Sequence, residues 1–292
     1  MSPSHNPVPS QTVRASAAHP CAVTWEAGTL YLDGAAVPAL SVEEPQPERW
    51  RQVTYASMDE YAQQHAGAYP AETLQIMRLF AGFIARHIDP SGTCLDIGCG
   101  TGSTTPPYAD RLMVGSRYVG LDPLRLDHVR DYPFICARIE ELPAACPRLR
   151  FAGFIFATSL DHLEELETAA QAVAKLAHPE GAMAVLWIGL HDRDLLVAQT
   201  GARLASTWLG GRAFGGMLRA LAWPLRGYWR TRRWLDRRDR DLSAGRPLDN
   251  LHFHYFTRAT LAAALAHFGK LEEVVEVPGT NSCFAAVRVL QR

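Results

Sequence analysis

Residues 94–102 read CLDIGCGTG, a short apolar run that passes directly into glycine at every second position. Glycine at Gly98, Gly100 and Gly102 permits backbone that side chains disfavour and lets a ligand approach the main chain closely. The spacing is G-x-G-x-G with an acidic residue, Asp96, just ahead of it. It is therefore not the G-x-G-x-x-G of nicotinamide dinucleotide sites, and with no Lys-Ser/Thr ending it is not a phosphate-binding P-loop. A strand that ends in such a loop belongs in a sheet whose next element is a helix or a crossover, so an α/β fold is expected.

The surrounding pattern agrees. Apolar runs at 94–97, 118–121, 134–137, 151–157 and 182–188 alternate with helical candidates at 106–113, 124–130 and 163–177. Several runs are continuously apolar, as strands covered on both faces are. Alternation of this kind predicts a doubly wound sheet with helices on both faces. Upstream, 55–86 reads as helical, with Pro70 a start signal and Leu74, Ile76, Met77, Phe80, Phe83 and Ile84 as its apolar residues. Residues 21–40 suggest a β-meander turning at Asp33-Gly34. Thr257 caps a helix over 257–268, and strands are expected at 271–277 and 282–290. The expected organisation is a disordered tail over 1–20, an N-terminal extension over 21–70 and a core over 71–190. An insertion over 191–250 and the rest of the core over 251–292 complete it.

The net charge of −1 conceals an asymmetry. Of 29 basic residues only Lys175 and Lys270 are lysine, and ten arginines lie between Arg212 and Arg246 with three Asp and no Glu. That stretch carries about +7 and the remainder about −8. The six cysteines form no C-x-x-C pair, and several fall in apolar runs as buried thiols do. The polar, Pro/Ser-rich start lacks an apolar signal region, and no stretch reaches the roughly 20 apolar residues of a membrane span. A cytoplasmic protein is expected.

With the loop, its flanking strands and their acidic residues in view, the chain resembles the class I S-adenosylmethionine-dependent methyltransferases. LDIGCGTG is similar to their first motif, and VGLDP places Asp122 at the end of the second strand. The segment 139–143, the fourth strand with its exit at 151–163, and the turn Pro179-Glu180-Gly181 follow in the same order. The resemblance covers roughly 72–190 and 250–292. It implies a Rossmann-like seven-stranded sheet, S-adenosylmethionine as cofactor, and cofactor contacts from Asp96, Gly98, Cys99, Gly100, Gly102, Asp122, Pro123, Leu124, Arg138, Ile139, Glu140 and Thr158. Asp122 would grip the ribose hydroxyls. Two departures stand out. Arg138 occupies the place of the relatives' adenine-binding Asp, which shifts adenine recognition to backbone groups and to Leu124 or Ile139. Pro106-Pro107 follows the loop, so Thr105 would cap a helix that starts about one turn late.

In open α/β sheets, ligands bind beyond the carboxyl ends of the strands. Asp161 and His162 follow the fourth strand, His191 and Asp192 the fifth, and His252 and His254 precede the late helix. Histidine suits proton removal near neutral pH, and His162, His191 and His254 are the candidate bases. Asp161 also reads as a helix cap and His254 as a core residue. The cysteine and histidine spacings form no zinc pattern, so no metal is expected. In the insertion, Arg212, Arg219, Arg226, Arg230, Arg233 and Arg237 fall within roughly 60° on a helical wheel of about 100° per residue. Phe214, Met217, Leu218, Leu221, Leu225 and Tyr228 centre opposite them, and Pro224 is expected to kink or divide the helix. This suits a lid over a small-molecule, glycosylated or lipid-linked acceptor, with O-methylation favoured, or peripheral membrane contact through 212–238. Nucleic acid is disfavoured by the acidic remainder. An inactive fold relative acting as a partner or membrane-surface adaptor is the alternative.

Overall fold

The computed structural model describes residues 11–13, 23–26, 29–32, 35–36, 69–89, 91–100, 102, 104–110, 112, 117–123, 130–197, 217–246, 248 and 252–291. A four-stranded antiparallel sheet comprises β1 (Gln11–Val13), β2 (Val23–Glu26), β3 (Thr29–Leu32) and β4 (Ala35–Ala36), in that order. The meander is therefore one strand longer than expected, because β1 pairs with β2 from inside the segment read as tail.

The main sheet has seven strands. They are β5 (Cys94–Ile97), β6 (Tyr118–Asp122), β7 (Phe134–Cys136), β8 (Gly153–Ala157), β9 (Met183–Gly189), β10 (Gly269–Glu276) and β11 (Ser282–Val289). Their order is β10-β11-β9-β8-β5-β6-β7. Strands β5 to β9 are parallel, and β11 runs antiparallel to both β9 and β10.

Period-two alternation divides the apolar strands between two cores. Leu95, Val119, Phe154, Phe156, Leu186 and Ala285 face one side, where α3 (Leu166–Leu176) and α5 (Arg258–Ala266) bury Val173, Leu176, Leu261 and Leu265. Cys94, Tyr118, Ile155, Val185 and Phe284 face the other, against Met77, Phe80, Phe83 and Ile84 of α1 (Ala71–His87). Helix α1 begins at Ala71 with Pro70 as its N-cap, in line with the start signal; Tyr69 and Pro70 are not helical, so the helix expected over 55–86 is interrupted there, and 55–68 lie outside the described residues. Helix α5 begins at a capping box in which Thr257 and Thr260 exchange side chain-to-backbone hydrogen bonds. A four-residue helix, α2 (Leu142–Ala145), was not expected.

Two expectations fail. Among the described residues no α-helix follows the glycine loop; 107–110 and 112 form turns closed by Ala109 N–H to Pro106 O (2.8 Å) and Leu112 N–H to Ala109 O (2.8 Å). Thr105 caps nothing there. Its amide and hydroxyl both donate to Asp131 (2.8 and 3.0 Å), which directs the chain into the turns. The helix expected over 124–130 lies outside the described residues up to 129. Of the two outcomes expected at Pro224, division does not occur, since α4 runs from Met217 to Ser243. The proline lacks an amide, so the Ala220 carbonyl forgoes its intrahelical donor.

The apolar residues expected opposite the arginines, Phe214, Met217, Leu218, Leu221, Leu225 and Tyr228, and the side chains of Arg219 and Arg226 lie outside the described side chains. Arg230, Arg233 and Arg237 are exposed, whereas Leu235 and Arg238 are buried. Arg212 lies outside the described residues. The C-terminal half of α4 is latched to the exit of β9, where Arg193 bridges Asp236 (2.6 Å) and Asp239 (2.5 Å).

Candidate functional site

Strand order reverses between β5 and β8. The chain moves outward from β5 to β6 and β7, then returns to the other side of β5 as β8. The crevice at such a reversal is where open sheets bind ligands. Gly98 leaves β5 with φ +75° and donates its amide to Leu121 O (2.8 Å). A Cβ on Gly98 would stand 2.5 Å from Cβ of Ser159, which leaves β8, and Ser159 Oγ donates to the Ile97 carbonyl. Gly100 also has φ +75°, and its amide donates to Asp122 Oδ2 (2.9 Å). Asp122 ends β6 and is buried.

Below the loop lies a clamp that the sequence did not disclose. Arg130, 5% exposed, donates from Nη1 to Gly100 O (3.2 Å), Gly102 O (2.6 Å) and the Tyr132 hydroxyl. Tyr132 in turn donates to Gly102 O (2.8 Å), and the guanidinium lies 3.8 Å from the Phe134 ring centre. Loop carbonyls with no ladder partner are thereby satisfied by a buried cation. Arg130 reads in sequence as the last residue of a surface helix, and no spacing rule links it to the glycines.

Asp96 lies on the same side. Its Oδ2 accepts from the hydroxyls of Tyr108 (2.8 Å) and Tyr118 (2.6 Å). Its Oδ1 is buried with no hydrogen-bond partner among the described residues. Burial pushes its pKa up to about 6, and the two tyrosine bonds offset only part of that rise. A buried carboxylate oxygen with no partner among the described residues, beneath a glycine-rich loop and with a second carboxylate at its rim, fits a ligand that carries a positive charge and hydroxyl groups.

Among the other candidates, Cys99 is buried, near the Gly100 carbonyl (3.7 Å) and Tyr132 Oη (3.9 Å). Burial raises its pKa well above the ordinary value, so it is a neutral thiol and fills space. The Pro123 carbonyl lies 3.7 Å from Cys136 Sγ, and Leu124 is outside the described residues. Arg138 Nε stands 3.7 Å from the Glu140 carboxylate, its amide donates to Glu141 (3.2 Å), and Ile139 beside it is buried. Thr158, exposed at the end of β8, is the one non-glycine residue with positive φ (59°) among those described. Strain of this kind collects at ligand sites.

The histidines separate into distinct settings. Asp161 and His162 lie in the 3₁₀ turn Leu160–His162, with His162 Nε2 3.9 Å from Asp161 Oδ1. His252, from the segment before α5, places Nε2 3.5 Å from Asp161 Oδ2 and its ring 4.7 Å from that of His162. His191 is engaged otherwise, because Arg238 donates to its carbonyl oxygen (3.1 Å) and to its Nδ1. His254 stacks on Phe256 (5.8 Å, 21°), and its Nε2 is buried without a hydrogen-bond partner among the described residues. The residue as a whole is partly exposed.

A family model for the methyltransferase domain matches residues 61–270. No curated protein matches the chain. Similar solved structures include the N-methyltransferase NodS from Bradyrhizobium japonicum WM9 in complex with S-adenosylhomocysteine. It is 14% identical and covers 81% of this chain and 98% of its own, at a TM-score of 0.42. A possible histamine N-methyltransferase from Thermotoga maritima is also 14% identical, with 84% and 100% coverage and a TM-score of 0.41. A cyclopropane-fatty-acyl-phospholipid synthase-like protein from Lactobacillus casei is 12% identical, with 80% and 98% coverage and a TM-score of 0.44.

Proposed function

The chain belongs to the methyltransferase-domain family, the S-adenosylmethionine-dependent kind that its motifs resemble, and we propose that it methylates a small-molecule, glycosylated or lipid-linked acceptor, on oxygen in preference to nitrogen or carbon. When bound, S-adenosylmethionine supplies a methyl group on a positively charged sulfur. The observation that carries the reading is the glycine loop at the β5/β8 reversal, with Asp122 at its rim and an unpartnered Asp96 oxygen beneath it. In this reading Asp122 orients the loop amide of Gly100 and accepts from the ribose hydroxyls, while Gly98, Gly100 and Gly102 keep side chains out of the cofactor's path. Ile139 supplies apolar surface for adenine. Asp161, His162 and His252 define the acceptor end of the crevice.

A thermal-shift titration tests the cofactor assignment. S-adenosylhomocysteine at 100 times its Kd stabilises the fold by about 2.7 kcal/mol, and NADH leaves it unchanged. Stabilisation by NADH instead would reject the reading. Cofactor binding with no methyl transfer to any acceptor extract would leave the adaptor alternative.

The buried Asp96 makes cofactor affinity pH-dependent. Its folded pKa of about 6 lies above the ordinary carboxylate range, so below pH 6 the group is mostly neutral. An ammonium or sulfonium over the loop favours the ionised form. Affinity for S-adenosylmethionine is therefore expected to fall with acidification below pH 6, approaching tenfold per pH unit, as about 1.4 kcal/mol per unit requires. Asp96→Asn should flatten the profile. Calorimetric titration between pH 5 and 8 checks it, and an unchanged slope in Asp96→Asn would assign the effect elsewhere.

Peripheral membrane contact through 212–238 rests on α4. Trp229 and Trp234 are 54% and 52% exposed, and they flank the exposed Arg230, Arg233 and Arg237. No helix among the described residues is long and apolar enough to cross a membrane. Arginines between exposed tryptophans suit an anionic headgroup layer. Arg233→Glu/Arg237→Glu is expected to lower co-sedimentation with anionic liposomes about tenfold or more at low salt, at roughly 1 kcal/mol per arginine. Equal recovery would remove the membrane reading and leave the lid.

A further inference from the structure

Asp161 and His162 are separated from His252 by about 90 residues of sequence, yet their ligand atoms all lie within 4.8 Å of one another. We propose that these three side chains form a divalent transition-metal site, zinc first among the candidates, that holds an oxygen of the acceptor. The proposal rests on the methyltransferase reading above and supplies that reading with a means of activating a hydroxyl.

Two imidazole nitrogens and one carboxylate make a ligand set characteristic of zinc and related N/O-bound divalent ions, and not of the all-oxygen sites of calcium or magnesium. Three protein ligands leave a fourth tetrahedral position for substrate or water. Metal–ligand distances of about 2.0–2.2 Å place tetrahedral ligand atoms about 3.4 Å apart. The observed separations are 3.5 Å for His252–Asp161 and 3.9 Å for His162–Asp161, so modest side-chain rotation closes the site. Orienting a carboxylate against a base takes one histidine. Here a second imidazole presents the same Nε2 to the same carboxylate, with the two rings 4.7 Å apart.

The main chain holds the arrangement ready. Phe253 and His254 both donate their amides to the Asp161 carbonyl (2.8 and 3.3 Å), so the segment bearing His252 is tied to the turn bearing the other two ligands. The three side chains remain 13–27% exposed, which leaves them open on one side. The site also adjoins the cofactor loop, since Ser159, two residues before Asp161, packs against Gly98.

A bound cation lowers the pKa of a hydroxyl that coordinates it. The O–H bond then breaks with its electron pair left on oxygen, and the proton passes to solvent. No separate histidine base is needed, in keeping with His191 and His254 being engaged elsewhere.

The test needs neither cofactor nor turnover. The full chain is stripped with a chelator and titrated with Zn²⁺ by calorimetry and thermal shift. One zinc per chain is expected, with a raised Tm. Asp161→Ala, His162→Ala and His252→Ala should each weaken binding by at least about 100-fold, more than loss of an outer-shell partner does. Glu164→Ala, an exposed carboxylate nearby, should not. If an alanine variant does not fold, Asp161→Asn and His252→Gln keep the volume and remove the ligand. Absence of stoichiometric binding, or binding indifferent to all three positions, overturns the proposal. Stabilisation by S-adenosylhomocysteine in the same stripped samples separates that failure from failure of the methyltransferase reading.

Discussion

Gly98→Ala is expected to cost the protein its cofactor affinity and a substantial part of its stability. Two independent effects converge at this position. The backbone is left-handed (φ +75°), which costs an L-residue about 1–2 kcal/mol. The new methyl would also stand 2.5 Å from Ser159 Cβ, an overlap that only movement of β5 or β8 relieves. Overpacking of that kind costs about 1–3 kcal/mol. Together they amount to roughly 2–5 kcal/mol, a Tm lower by about 5–15 °C in a chain of this size. S-adenosylhomocysteine should bind at least about 30-fold more weakly, because 2 kcal/mol withdrawn from the binding-competent loop is already that large. The double variant Gly98→Ala/Ser159→Gly separates the effects, since it removes the overlap and keeps the backbone strain. Partial recovery of Tm is expected. A single variant with unchanged melting and unchanged affinity would show that this close approach does not constrain the loop.

Asp122→Ala should act on binding more than on folding. The carboxylate takes the Gly100 amide at 2.9 Å and ends β6 at the rim of the crevice. A hydrogen bond to a charged group contributes about 1.5–3 kcal/mol, so loss of one ribose contact alone weakens S-adenosylhomocysteine about 10- to 150-fold. Loss of the Gly100 bond adds to this by loosening the loop. Asp122→Asn retains an oxygen for Gly100 and should fall between wild type and alanine. Equal affinities for wild type and Asp122→Ala, measured by calorimetry, would remove Asp122 from the cofactor site.

The parts of the molecule legible in the sequence are those encoded over a few adjacent residues. The run ending in Gly98 and Gly100 announces a tight turn, and the continuously apolar strands announce a sheet buried on both faces. Thr257 and Thr260 form the cap that Thr257 suggested. Contacts assembled from distant elements were not legible. Arg130, between β6 and β7, meets the loop because β6 lies beside β5 and β7 beside β6, so its role depends on strand order. Likewise His252 meets Asp161 through a segment that precedes a helix on the far side of the insertion. After the loop, where Pro106-Pro107 gave a local helix signal, the described residues form turns, and Thr105 bonds Asp131 across 26 residues. At Pro224 a strong local breaker sits inside the undivided helix Met217–Ser243.

The close approach of Gly98 and Ser159 ties the glycine loop to the turn that follows β8. Ser159 occupies the space where a side chain on Gly98 would stand, and it immediately precedes the 3₁₀ turn Leu160–His162. In the proposed reading, the cofactor loop and the acceptor turn therefore share a wall. Filling one side stiffens the boundary of the other, so the two ligands are thermodynamically linked, and whatever factor the first confers on the second is returned in equal measure. A two-substrate enzyme built on this wall is expected to bind its ligands cooperatively, without any moving lid.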